Sequence, residues 1–210
     1  MPTRVYIEIG KRRVFASAAD WPGWARSGKD EKSALEALAA AAPRYAAVPK
    51  AARISFAPGG AFTVVERLPG DATTEFGAPS QIAEAERKRL TRKEAGRLSA
   101  LVAACWTVLD RVVEKAPPTL RKGPRGGGRD RDAIVDHVLG AEAGYARMIG
   151  LRLKQPPTTD TAAVREHRNA IVAGIRGSTK VGNRWPARYA ARRIAWHATE
   201  HAWEIEDRID

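Results

Sequence analysis

The stretch "RYAARRIAWHATEHAWEIEDRI", residues 188–209, decides how the second half of this chain is read. Its apolar and histidine positions recur every three or four residues, so Ile194, His197, His201, Ile205 and Arg208 or Ile209 share one helical face. Two histidines four apart on an inward face point into a core one turn apart, where their rings can meet. Ring nitrogens left without partners in an apolar core cost about 1–3 kcal/mol each. Metal ligation removes that cost. The same spacing also suits histidines that cap, pair with Glu200 or Glu204, or face solvent. Residue 198 is alanine, so the general-base glutamate of HExxH metalloproteases is absent and a site of that type is excluded.

Outward from this stretch, three more segments repeat with helical period. Residues 81–116 run to the break at Pro117 and Pro118. Residues 130–151 follow a glycine-rich loop and open with acids. Residues 160–176 start at a capping Asp160 and stop at Gly177. The fourth helix is expected to begin near Asn183, with Pro186 at an early position, and to run to about Asp207. Four amphipathic helices joined by loops predict an up-down four-helix bundle. In the second of them Ile134, His137, Ala141, Tyr145 and Met148 share a face, which offers His137 as a third nitrogen. Three histidines leave coordination positions open for water or substrate, the arrangement of a catalytic rather than a structural ion. His167 lies on the flank of its helix's apolar stripe and reads as a surface or groove residue. Cys105, the single cysteine, sits within a helical apolar pattern and reads as a small core residue.

The first eighty residues carry a different rhythm. "RVYIEI" alternates as a strand, Gly10 and Lys11 punctuate it, and "RRVFASAAD" supplies a return strand. Asp30 caps an Ala/Leu-rich helix expected to continue to Pro49, and "RISFA" and "FTVVERL" read as two more strands. The expected unit is ββαββ. Trp21 and Trp24 flank a Pro-Gly turn and are read as packing against the helix. The stretch 68–80 is rich in Gly, Pro and Thr and lacks a helical period. Together these signs predict an α+β protein: a small domain over residues 1–70, a linker over 71–80, and the helical domain over 81–210.

Composition is that of a folded protein, since 44% hydrophobic and 29% charged residues exclude wholesale disorder. There is no apolar run of the roughly 20 residues a membrane span needs, nor an apolar signal core at the start, so a cytoplasmic protein without membrane contact is expected. The formal charge of +12 divides as +3 over residues 1–80 and +9 over residues 81–210. The basic clusters "ERKRLTRK" (86–93) and "RKGPRGGGRDR" (121–131) are without aromatic residues to stack bases, so a solvated basic face is preferred to nucleic-acid binding.

Two resemblances attach to these residues. "DWPGWARSGKDEKSALEAL" (20–38) resembles the HicB-like small domain, which implies a partner-binding or dimerising module and no chemistry. "RDAIVDHVLGAEAGYARMIG" (131–150), with "HATEH" some fifty residues later, is similar to the DinB-like superfamily, which includes mycothiol-dependent and bacillithiol-dependent thiol transferases. That resemblance implies a four-helix bundle whose His137, His197 and His201 bind one divalent metal. Zinc or nickel stand foremost, with iron or manganese as further options. It also implies a small-molecule substrate and a low-molecular-weight thiol cofactor, in a small-thiol S-transferase or a metal-water hydrolase. Glu142, Tyr145, Trp196, Glu200 and Glu204 are the expected surroundings of the site, and Arg192 and Arg193 are candidates to attract an anion. The competing expectation is a non-enzymatic, stress-related or interaction protein whose N-terminal module binds a protein or nucleic acid. A homodimer fits either reading.

Overall fold

The computed structural model describes residues 2–123, 127–177 and 184–209. It is an α+β protein with a four-stranded sheet at the N-terminal end and long helices toward the C-terminus. β1 (Thr3–Ile9) and β2 (Val14–Ala18) form the expected antiparallel hairpin. Gly10 closes it by donating its N–H to the Arg13 carbonyl, and an added Cβ there would lie 2.9 Å from that same oxygen.

The third strand differs from expectation. β3 (Ala25–Gly28, "ARSG") lies beside β2 and precedes the helix, while "RISFA" forms no strand. Arg53 adopts a left-handed φ of 56° that turns the chain, after which Ile54 and Phe56 pack on the core as irregular backbone. The unit is therefore βββαβ, with β4 (Phe62–Pro69) parallel to β1 and the order β3-β2-β1-β4.

The long first helix is also corrected. α1 (Glu31–Ala40) starts at Asp30, whose side chain accepts from the Ser33 N–H at 2.7 Å. It ends at Ala41 and is replaced by two short turns, α2 (Ala42–Tyr45) and α3 (Ala47–Ala51). Pro43 lacks the N–H that would continue the ladder, so the helix cannot pass it unbroken. Trp24 packs as expected: it is buried, its indole N–H donates to the Leu38 carbonyl at 2.9 Å, and its ring stacks on Tyr45 at 5.6 Å.

Residues 68–80 hold more structure than their composition suggests. Asp71 caps a short helix, α4 (Ala72–Phe76). The buried Glu8 carboxylate accepts the Ser80 and Gln81 N–H groups and the Thr74 hydroxyl, which ties this stretch to β1.

A 3-10 turn at Glu84–Arg87 occupies the start of the segment read as one helix from residue 81. α5 (Arg92–Lys115) begins only at Thr91, where Thr91 and Glu94 form a reciprocal capping box. α6 (Arg131–Met148), α7 (Thr161–Gly177) and α8 (Ala187–Glu206) match their expected segments closely. The expected start of the last helix near Asn183 lies outside the described residues. α8 packs against α5, α6 and α7, so most of its surface is buried. A contiguous apolar cluster joins Val5, Ile7, Trp24 and Leu38 of the sheet end to Leu101, Leu109, Ile134, Ile171, Ile194 and Ile205 of the helices. Among the described residues, no helix is long and apolar enough to cross a membrane.

Candidate metal centre

The packing of α6 on α8 brings His137 to the HxxxH pair. His197 Nε2 lies 3.3 Å from His137 Nε2 and 3.2 Å from His201 Nε2, and one ring nitrogen from each residue falls within 4.8 Å of the others. His197 is buried, and the other two are partly open to solvent.

Hydrogen bonding explains one of these contacts but not both together. A neutral imidazole carries one N–H, so His197 Nε2 can be donor or acceptor but cannot serve both neighbours fully. Two such nitrogens bound at about 2.0–2.1 Å in tetrahedral geometry stand about 3.3 Å apart, close to both observed separations. The donor set therefore fits a divalent ion, with three ring nitrogens converging and open positions left beyond them.

The protonation states agree with that fit. Burial pushes His197 well below the usual histidine range, with His201, His137, Arg193 and Arg129 acting in the same direction. Burial, followed by His201 and Arg129, lowers His137 as well. Both rings are thereby held neutral near pH 7, the form that ligates. His201 Nδ1 donates to Glu204 Oε2 at 2.7 Å, which directs the lone pair of its Nε2 toward the other two histidines. Glu204 is itself held by Arg208 at 3.1 Å. His197 Nδ1, by contrast, has no hydrogen-bond partner among the described protein atoms.

Aromatic rings wall the centre. Tyr145 meets His197 edge-on at 5.6 Å, Trp196 lies 6.2 Å from it, and Trp185 packs on Tyr145 at 5.2 Å. Of the residues expected around the site, Tyr145, Trp196 and Glu204 are therefore in place.

Others are elsewhere. Glu200 turns away to pair with Arg26 at 3.1 Å. Glu142 is buried with Arg168 and His167 on the side of α6 facing α7. His167, expected as a surface or groove residue, is buried, with its Nε2 3.9 Å from Glu142. Beside it Arg168 is also buried and reaches Asp110 of α5 at 2.8 Å. Arg192, read as a candidate for an external anion, is buried in a two-pronged ion pair with Glu86 at 2.6 and 2.9 Å. Cys105 is buried, and desolvation pushes its thiol up to about 12, which leaves it a core residue.

Trp185 and Arg208 belong to the surroundings of the centre but carry no role in the sequence reading. Arg208 was legible in principle, since it stands four residues after Glu204 on the same helical face. Trp185 precedes α8, where no periodicity marks it. No protein family, curated protein or solved structure matches this chain.

Proposed function

We propose that this protein is a metal-dependent enzyme of the DinB-like type, in which a four-helix bundle of α5 to α8 holds one divalent ion through His137, His197 and His201. The observation that carries the reading is the convergence of the three Nε2-bearing rings at separations that suit a ligand set and that hydrogen bonding can satisfy for only one of the two contacts. A bound divalent ion supplies Lewis acidity, which makes a small thiol or a water a competent nucleophile near neutral pH.

The chain's own groups do the rest. Glu204 orients His201 and fixes the tautomer that leaves its Nε2 free to ligate. Tyr145, Trp185 and Trp196 limit water on one side and leave the half-open His137 and His201 edges as the way in. The reaction class that this supports is transfer of a small thiol to an electrophile, or hydrolysis by an activated water. The N-terminal βββαβ unit, HicB-like in its Trp-Pro-Gly-Trp turn and Ala/Leu-rich helix, serves as an attached module without a part in the chemistry.

The test is metal content by mass spectrometry on tag-free protein, wild type beside His201→Ala. About one equivalent in the wild type, lost in the variant, is the expected result for a single three-histidine site. No metal in either, after exposure to zinc, nickel, manganese and iron(II), would leave an interaction protein with a structural histidine cluster.

A further inference from the structure

Arg193 stands one turn before His197 on α8 and is half-buried. Its guanidinium carbon lies 4.8 Å from the centre of the Trp196 ring and 5.6 Å from that of Tyr145. One of its nitrogens donates to the Pro79 carbonyl at 3.2 Å. Among the described residues no carboxylate pairs with it. The other arginines of α8 are neutralised: Arg188 by Glu94 and Arg192 by Glu86, each at 2.6 Å. A guanidinium presents five N–H donors in a planar fork, and the Pro79 carbonyl and Tyr145 hydroxyl leave part of that capacity unused.

The same two aromatic rings flank Arg193 and His197, so this cation and the histidine cluster share one enclosure. The charge there is one-sided. The carboxylate at the centre, Glu204, is already divided between His201 and Arg208. A divalent ion would add two further positive charges. A half-buried positive site with part of a planar fork unused is complementary to a carboxylate, which can accept two parallel N–H donors. Contacts with the Tyr145 and Trp196 rings and the bond to the Pro79 carbonyl already restrain the guanidinium, which lowers the ordering cost when an anion arrives.

We infer that the substrate of the metal centre is a carboxylate-bearing small molecule, bound through that carboxylate by Arg193 with its reacting end toward the three histidines. The inference rests on the metal reading above, and it assigns Arg193 to substrate binding rather than to the fold.

The experiment uses the full chain loaded with cobalt(II), with paramagnetic broadening of proton NMR lines reporting approach to the metal. The probes are 3-mercaptopropionate and its uncharged amide, which differ only in the carboxylate. The wild type is expected to bind the carboxylate about tenfold more tightly than the amide, the value of one charge-assisted hydrogen-bonded contact. Arg193→Met is expected to abolish the preference with cobalt stoichiometry unchanged, and Arg193→Lys to restore part of it. Equal broadening by both probes, or none by either, in cobalt-loaded wild type overturns the inference and leaves the metal site standing. A preference that survives in Arg193→Met, or in Arg193→Gln should the first variant misfold, also overturns it. Wild type that binds no cobalt removes both readings together.

Discussion

His201 donates its Nδ1 proton to Glu204 Oε2 across 2.7 Å, and Arg208 holds the same carboxylate from its other oxygen at 3.1 Å. The hydrogen bond from His201 keeps Glu204 below the usual carboxylate range against its partial burial, and Arg208 adds to the effect. An ionised acceptor on Nδ1 selects the tautomer whose Nε2 offers a lone pair.

Removing that acceptor should weaken the centre without dismantling it. Glu204→Ala is expected to lower metal affinity by about 10–100-fold, and Glu204→Gln by less, because the amide oxygen can still accept. Competition with a chromophoric chelator reads this directly. Unchanged affinity in both variants would show that Glu204 does not orient the ligand.

The four histidines should separate cleanly. His137→Ala is expected to abolish metal binding while far-UV circular dichroism stays that of the wild type, because His137 is partly exposed and, among the described residues, its ring bonds only within the cluster. His167→Ala is expected to retain the metal, since its ring faces Glu142 instead. Retention in the first, or loss in the second, would mean that a different trio of nitrogens is used.

Glu142 should tie stability to pH. Burial pushes its carboxyl up to about 7, although Arg168 opposes the shift. This is an acid whose folded pKa lies above its unfolded value, so the native state keeps a proton that the unfolded chain releases from about pH 4.5 upward. Its contribution is greatest in acid and is lost as pH rises through about 7, a change on the order of 3 kcal/mol. Urea unfolding at pH 5 and pH 8 should show Glu142→Gln gaining on the wild type at the higher pH. A constant difference between the two proteins would indicate an ionised Glu142 throughout.

The Arg192–Glu86 pair should behave as a buried ion pair. Both side chains are about 5% exposed or less, and Arg192 also donates to the Gln81 carbonyl at 2.7 Å. Arg192→Met leaves Glu86 charged in the interior and is expected to cost about 3–5 kcal/mol in chemical denaturation. Adding Glu86→Leu should recover much of that loss. A double variant no more stable than the single one would show that the carboxylate was not the source of the cost.

The helical half was largely legible because its signal is local. Ile194, His197, His201 and Ile205 share a face by backbone geometry alone, and the period that predicts α6 places His137 inward in the same way. The sheet was less legible. "ARSG" is too short and polar to alternate as a strand, yet it becomes β3 because β2 offers it an edge. "RISFA" has strand composition but begins with a left-handed Arg53 and, among the described residues, joins no sheet. Pro43 was a local signal that the apolar spacing around it outweighed.

By itself the sequence determined which residues line each long helix's apolar face and that two histidines lie one turn apart, since both follow from 3.6 residues per turn. Only the tertiary structure decided the partners. It set Glu204 rather than Glu200 on His201, sent Glu142 and His167 to a separate buried cluster, and buried Arg192 against Glu86 while leaving Arg193 without a carboxylate partner among the described residues. These outcomes depend on how neighbouring elements are rotated about their axes. Residues on one helix that differ by a single position point about 100° apart, so a modest rotation exchanges a buried ion pair for a half-buried arginine without one.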